Sequence, residues 1–315
     1  MYNKNKKLPI AIFLMGTTAS KKTYLATRLA KVLPIELISV DSSLIYKKMN
    51  IGTDKPKKTD LFYEKHWLID IKEPNQSYSV MEFYNDVLSI MDKITKKGKI
   101  PFLVGGSMFY YYKLINTMSP LPSSNNHIRN MIKKQINKKI YNSYHDMLKK
   151  IDIFSAKKIH YNDNQRNLRA LEIFFLTGKT LSELIKIPGE KIPYKIYQFG
   201  LTYYDREILY NKIENRIFQM LKLGFEEEVR YLIDNKYLQI NFPSIRCIGY
   251  KQMFLYILNK INYKEMIQQT VITTRHLAKK QLTWLRHWKN IYLFDSNYIN
   301  KAYDYIQKFV NKKLN

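Results

Sequence analysis

The sequence predicts an α/β fold: a parallel sheet flanked by helices, with an inserted all-helical subdomain. Three observations carry this. Short apolar runs without helical period alternate with segments whose apolar residues recur at helical spacing, the rhythm of βαβ units. From His127 to about Gly189 the pattern turns almost wholly helical. The composition, with 315 residues of which 45% are apolar and 25% charged, supplies a substantial core.

Ile10–Met15 is a continuous apolar run ending at Gly16, which reads as a buried strand. Lys22–Leu33 carries Leu25, Leu29 and Val32 or Leu33 on one side and is stopped by Pro34, a helix. Glu36–Val40 is a second buried strand, closed by Asp41, and Trp67–Ile71 a weaker one. Val80–Lys96 reads as an amphipathic helix stopped at Lys97-Gly98-Lys99, and Ile100–Val104 as the strand that follows, ending in Gly105-Gly106-Ser107. Ser119–Asn126, with two prolines and small polar residues, is a connector. Within the helical stretch, Arg166–Thr177 places Leu168, Leu171, Phe174 and Phe175 on one side. Ile196–Leu201 returns to the sheet, Arg206–Leu223 is a helix stopped by Gly224, Thr273–Trp288 is a basic helix, and Asn290–Phe294 a last strand. The expected domains are therefore a core of 1–117 and 196–315 and an insertion of 118–195.

Gly16-Thr17-Thr18-Ala19-Ser20-Lys21-Lys22-Thr23 lies between a strand and a helix, the context of a phosphate-binding loop. Backbone N–H groups at a helix start attract anions. Lys22 is placed to pair with a terminal phosphate, and the Thr23 hydroxyl to reach Mg²⁺. The fold is thus P-loop NTPase-like. Lys21 stands where the usual pattern has glycine, so a negative φ and an outward side chain are expected there. Asp41 ends the second strand, at the sheet edge where ligands bind, with two jobs open to it: orienting Mg²⁺ or accepting a hydrogen bond from a substrate donor. Ser107 adds a hydroxyl beside two glycines at the same edge.

Lys and Arg number 53 against 26 Asp and Glu, a net charge of +27 that attracts polyanions; part of the excess follows from a Lys-, Asn-, Ile- and Tyr-rich composition. One cysteine, Cys247, excludes an internal disulfide framework or a cysteine metal cluster. Basic Met1–Lys7 before apolar Leu8–Met15 resembles a secretory leader, but Pro9 breaks the run and it leads straight into the phosphate loop. No apolar stretch is long enough to cross a bilayer, so a cytoplasmic protein without a membrane partner is expected.

Several motifs resemble those of the tRNA dimethylallyltransferases. They are Phe13-Leu-Met-Gly-Thr-Thr-Ala-Ser-Lys-Lys-Thr23, Ile38-Ser-Val-Asp-Ser-Ser-Leu-Ile-Tyr46, Met49-Asn-Ile-Gly-Thr-Asp-Lys-Pro56 and Val104-Gly-Gly-Ser107. Asn162-Asp-Asn-Gln-Arg-Asn-Leu-Arg-Ala-Leu-Glu172, Ser244-Ile-Arg-Cys-Ile-Gly-Tyr250 and Thr274-Arg-His-Leu-Ala-Lys-Lys-Gln281 complete an ordered set from about residue 10 to residue 290. The resemblance implies transfer of a dimethylallyl group from dimethylallyl diphosphate to the exocyclic N6 amine of adenosine at tRNA position 37, with Mg²⁺ as cofactor and diphosphate released. It implies that the insertion grips the anticodon stem, and that the chain works as a monomer with no obligate protein partner. Two positions depart from the family loop: Lys21 replaces glycine, and Thr17 replaces proline.

The site residues follow. Asp41, Lys22, Thr23, Ser107 and Arg216 are the catalytic candidates, and Gly16 through Thr23 the diphosphate loop. Asp41 would align the amine and take its proton; Lys22, Arg216 and Thr23 through Mg²⁺ would stabilise the departing anion. For tRNA the resemblance implies Asp41, Ser42, Ser43, Leu44 and Ser107 around the purine. In the insertion it implies Arg129, Gln165, Arg166, Asn167, Leu168 and Arg169. In the C-terminal half it implies Arg246, Cys247, Ile248, Gly249, Tyr250 and Lys251, with Arg275 and Lys279 (and Arg286) tracking phosphates. Tyr110, Tyr111 and Tyr112 read as core and boundary aromatics, and His66 and His160 as structural. Two other readings share part of this pattern: a small-molecule kinase, and a tRNA-binding relative impaired at Lys21.

Overall fold

The computed structural model describes residues 8–56, 66–117, 119, 121–138 and 140–314. Met1–Lys7, read above as a basic leader-like segment, lie outside the described residues. Strands β1 (Ile10–Gly16), β2 (Ile35–Val40), β3 (His66–Trp67), β4 (Ile100–Gly105), β5 (Lys195–Thr202) and β6 (Ile291–Asp295) form one sheet in the order β3-β2-β4-β1-β5-β6. Every pairing is parallel. β1, β2 and β4 are buried along nearly their whole length, which is why β1 and β4 read as apolar runs and not as alternating strands; β2 also buries Ser39 and Glu36, whose carboxylate accepts from Trp67 Nε1 at 2.9 Å. The weak strand expected at Trp67–Ile71 is only the two residues of β3; Leu68 and Asp70 adopt positive φ and turn the chain away.

Helix α1 (Lys22–Ala30) buries Leu25, Ala26 and Leu29 against the sheet, in a cluster that includes Ile12, Leu14, Leu37, Phe102 and Val104. It ends three residues before the expected Leu33, because Pro34 disfavours helical backbone in the residue preceding it. Helix α2 (Val80–Lys96) begins at a capping box in which Ser79 and Glu82 satisfy each other's backbone N–H groups. Helix α3 (Met108–Ile115) follows β4. The helices α4 (Asn126–Asn137), α5 (Tyr144–Ile151), α6 (Ile153–Lys158), α7 (Asn164–Thr177) and α8 (Leu181–Leu184) lie in a separate compact unit, residues 113–192. Its own core is Ile132, Met147, Leu148, Ala156, Ala170 and Leu171.

The other unit comprises residues 1–112 and 193–315. After β5 it continues with α9 (Arg206–Lys222), α10 (Phe225–Asp234), α11 (Tyr250–Ile257) and α12 (Tyr263–His287), and ends in α13 (Ile299–Leu314) behind β6. Helix α12 runs 25 residues and starts ten residues before the basic stretch that marks it in the sequence. Its first half buries Met266, Thr270 and Val271, and Asn262 with Glu265 forms the capping box that starts it.

Candidate active site

The C-terminal ends of β1, β2 and β4 open onto a cavity of about 600 Å³. Thr18 to Tyr24, Ser39, Asp41, Ser43, Leu44, Gly105, Gly106 and Arg216 line it. This is the edge where open α/β sheets bind ligands, beside the point where β1 and β2 run apart with β4 between them.

The phosphate loop is held from behind. The Thr17 hydroxyl shares a 3.0 Å hydrogen bond with that of Thr202, and the Ser20 hydroxyl donates to the Thr17 carbonyl at 2.8 Å. Both residues are fully buried, so Thr17 braces the loop and is withdrawn from the cavity wall. Gly16 also stays out of the cavity lining. A Cβ there would sit 2.1 Å from the Leu201 carbonyl oxygen, so its glycine serves the close approach of β5 and not that of an anion.

Lys21 corrects the expected backbone. Its φ of 64° and ψ of 22° are left-handed, the conformation a glycine would adopt at the start of α1. The loop therefore keeps its path, and the lysine side chain is exposed. Lys22 Nζ folds onto the Thr17 carbonyl at 2.6 Å. Burial lowers its pKa to about 8; Asp41 opposes that fall, Arg216 adds to it, and Asp54 opposes it.

Arg216 reaches the loop from α9. Its Nη1 donates to the Thr18 hydroxyl at 2.6 Å, its Nη2 donates to the Thr53 carbonyl at 3.4 Å, and its Nε lies 3.2 Å from Asp54 Oδ2. The segment carrying Thr53 and Asp54 is pinned by Glu228. That carboxylate accepts from the N–H groups of Asn50, Ile51 and Gly52 at 2.9, 2.8 and 3.3 Å, and from the Tyr250 hydroxyl at 2.6 Å. Asp54 lies within the Met49–Pro56 motif, whereas Glu228 has no local signature.

Asp41 is half-buried in the cavity wall, with Oδ1 accepting from the N–H of Ser43 at 2.7 Å. Its carboxylate is thus oriented by its own turn while facing the same space as Lys22 and Arg216. Deeper in the wall, Ser39 Oγ and His66 Nε2 are buried without a protein hydrogen-bond partner. Burial holds His66 neutral, with its pKa lowered to about 4. Tyr111 is core, its hydroxyl donating to the carbonyls of Leu14 and Leu103 at 3.2 and 3.1 Å.

The other expected site residues divide between the cavity wall and positions outside it. Ser107 is not among the lining residues; its N–H donates to the Val40 carbonyl at 3.1 Å. Ser42 is exposed outside the lining. Cys247, Ile248 and Gly249 line the cavity, and burial pushes the Cys247 thiol up to about 11, so it is a neutral wall group. Tyr250 is fully buried, packed on Phe225 with ring centroids 5.1 Å apart, which withdraws it from direct RNA contact. Arg246, Lys251, Lys279 and Arg286 are exposed. Arg275 is paired with Glu214 at 3.0 Å.

In the helical unit, Gln165 and Arg166 are exposed. Asn167 is fully buried, bonded to His145 and to the His160 carbonyl, and Leu168 packs on the local core, so neither presents itself to RNA. Arg129 and Arg169 clamp the fully buried carboxylate of Glu172 at 2.9 and 2.6 Å. A buried carboxylate needs such partners, so both arginines neutralise Glu172 while keeping part of each side chain at the surface.

The family model for IPP transferase matches residues 44–288. The chain belongs to the IPP transferase family. It is 33% identical to a tRNA isopentenylpyrophosphate transferase of Bacillus halodurans over 97% of this chain and 96% of that one, with a TM-score of 0.71. A tRNA delta(2)-isopentenylpyrophosphate transferase of Staphylococcus epidermidis shares 30% identity over 97% and 99% of the two chains, with a TM-score of 0.70. A eukaryotic dimethylallyltransferase acting on tRNA superposes with a TM-score of 0.80 at 25% identity, covering 96% of this chain and 80% of that one. Among the described residues of this family member, no helix is long and apolar enough to cross a membrane.

Proposed function

We propose that the protein transfers the dimethylallyl group of dimethylallyl diphosphate to the N6 amine of the tRNA adenosine just 3′ of the anticodon. The observation that carries this is one cavity holding Lys22, Arg216 and Asp41 together at the exit of β1 and β2. The diphosphate rests on the loop from Thr18 to Thr23. The amine nitrogen forms a bond to the allylic carbon as the carbon–oxygen bond breaks, and the electron pair leaves with diphosphate. Positive charge develops on the allyl group and negative charge on the leaving oxygen, so the two cations beside the loop stabilise the transition state more than the ground state. Asp41 accepts the proton that the amine sheds once alkylated. The purine leaves the anticodon-loop stack to reach it, at a cost of a few kcal/mol.

Among the described residues no cluster of His, Cys, Asp or Glu builds an all-protein metal cage. The cavity instead offers Thr23, whose hydroxyl would hold Mg²⁺ carried in on substrate phosphates, with Asp41 left free for the amine. Bound there, Mg²⁺ supplies charge neutralisation on the diphosphate.

For tRNA, the exposed Arg246, Lys251, Lys279 and Arg286 of one unit and Gln165 and Arg166 of the other are the polyanion-facing candidates. The family membership disfavours the kinase reading. The test is mass spectrometry of nucleosides from unmodified tRNA incubated with protein, Mg²⁺ and dimethylallyl diphosphate. N6-dimethylallyl adenosine is expected with the wild type and lost with Asp41→Asn. Adenosine of unchanged mass with the wild type sinks the proposal.

A further inference from the structure

Gln281 closes the Thr274–Gln281 motif, and nothing above gives it a role. It sits on α12 and is 5% exposed. Both ends of its amide hold backbone just beyond the ends of two sheet strands. Oε1 accepts from the Thr18 N–H at 2.8 Å, and Nε2 donates to the Gly106 carbonyl at 2.9 Å. Thr18 follows β1 and Gly106 follows β4, the neighbouring parallel strand. A Cβ at Gly106 would stand 2.4 Å from Gln281 Nε2, so the glycine is what lets the amide seat. Thr18 is in turn the residue whose hydroxyl accepts from Arg216.

We propose that Gln281 is a positioning residue for group transfer. It bridges the phosphate loop to the β4 edge and fixes where Thr18, and through it Arg216, stands when a diphosphate arrives. The inference rests on the function proposed above. Only a side chain with a donor and an acceptor about one amide apart completes this bridge. Glutamate keeps the acceptor for Thr18, but sets a carboxylate against the Gly106 carbonyl and beside an anion site. Leucine keeps the volume and leaves two backbone groups unpaired.

The test measures inorganic diphosphate binding with Mg²⁺ by calorimetry on the whole protein, alongside steady-state prenyl transfer. Gln281→Leu is expected to weaken diphosphate binding about tenfold and to lower kcat, with KM for tRNA within about twofold of wild type. Gln281→Glu, of nearly the same size, is expected to bind diphosphate more weakly still. Gly106→Ala crowds the amide from the other side and is expected to reproduce the Gln281→Leu pattern if Gln281→Leu folds poorly. Unchanged diphosphate affinity in Gln281→Leu and Gly106→Ala overturns the proposal. So does a loss shared equally by donor and tRNA, which is the signature of general misfolding. Wild-type protein whose diphosphate binding depends on Gln281 but which transfers no prenyl group sinks the functional reading and leaves the bridge standing; wild type that binds no diphosphate sinks both.

Discussion

Lys21 occupies left-handed backbone that costs an L-residue roughly 1–2 kcal/mol and a glycine nothing. Glycine also adds unfolded-state entropy, which returns about 0.4–1 kcal/mol of that difference. Lys21→Gly is therefore expected to stabilise the protein by up to about 1.5 kcal/mol, read as a higher urea midpoint with an unchanged m-value. Prenyl transfer should persist in both forms, because the path of the loop is already that of a glycine. Activity confined to the revertant would support the reading of an impaired relative. Lys22 gives a pH prediction. Its pKa is lowered to about 8 by burial, so its ammonium is present below that pH and lost above it. Diphosphate affinity is expected to be flat near pH 7 and to fall as the pH rises through about 8. Lys22→Met, weaker throughout, should lose this step. A step of the same size in that variant would assign it to the ligand's own titration.

At the scale of the element, the segment 49–54 depends on one acid. Glu228→Ala strips a partner from three backbone N–H groups and the Tyr250 hydroxyl. Unpaired buried groups cost about 1–3 kcal/mol each, so a loss of about 2–4 kcal/mol is expected where some gain water. Because Thr53 and Asp54 hold Arg216, kcat should fall further than KM for tRNA at temperatures where the variant stays folded. This brace shows where sequence reading stops. β1 and β4 were legible because strands buried on both faces are apolar almost throughout, β2 because Leu37, Ile38 and Val40 outweigh its buried Glu36 and Ser39, and Val80–Lys96 because its period is strong and its cap local. The phosphate loop and Asp41 were legible because each closes a strand. Glu228 and Gln281 act across 178 and 263 residues, and neither bond leaves a spacing that a single sequence displays. Helices α10 and α11 were missed, and the start of α12 was misplaced because the basic residues that mark the helix gather in its second half. Asn167 and Arg169 lie beside exposed Gln165 and Arg166 in the sequence, yet Asn167 is buried on His145 and the His160 carbonyl, and Arg169 joins Arg129, forty residues earlier, on the buried Glu172 carboxylate.

For the whole molecule, a net charge of +27 raises the question of which charges matter to RNA. Counterion release makes binding fall with salt at a slope of roughly 0.7–0.9 per phosphate neutralised, so the slope counts local contacts and is blind to distant charge. Lys279 and Arg286 on α12, and Lys308 and Lys312 on α13, are all exposed. Each pair replaced by glutamine lowers the net charge by the same amount. If α12 tracks phosphates, Lys279→Gln with Arg286→Gln should lower the slope of log affinity against log salt by up to about 2, measured by filter binding of tRNA. Lys308→Gln with Lys312→Gln should shift affinity slightly through the long-range field and leave the slope alone. Equal slopes in both double variants would remove α12 from the RNA interface and assign the excess charge on both helices to composition.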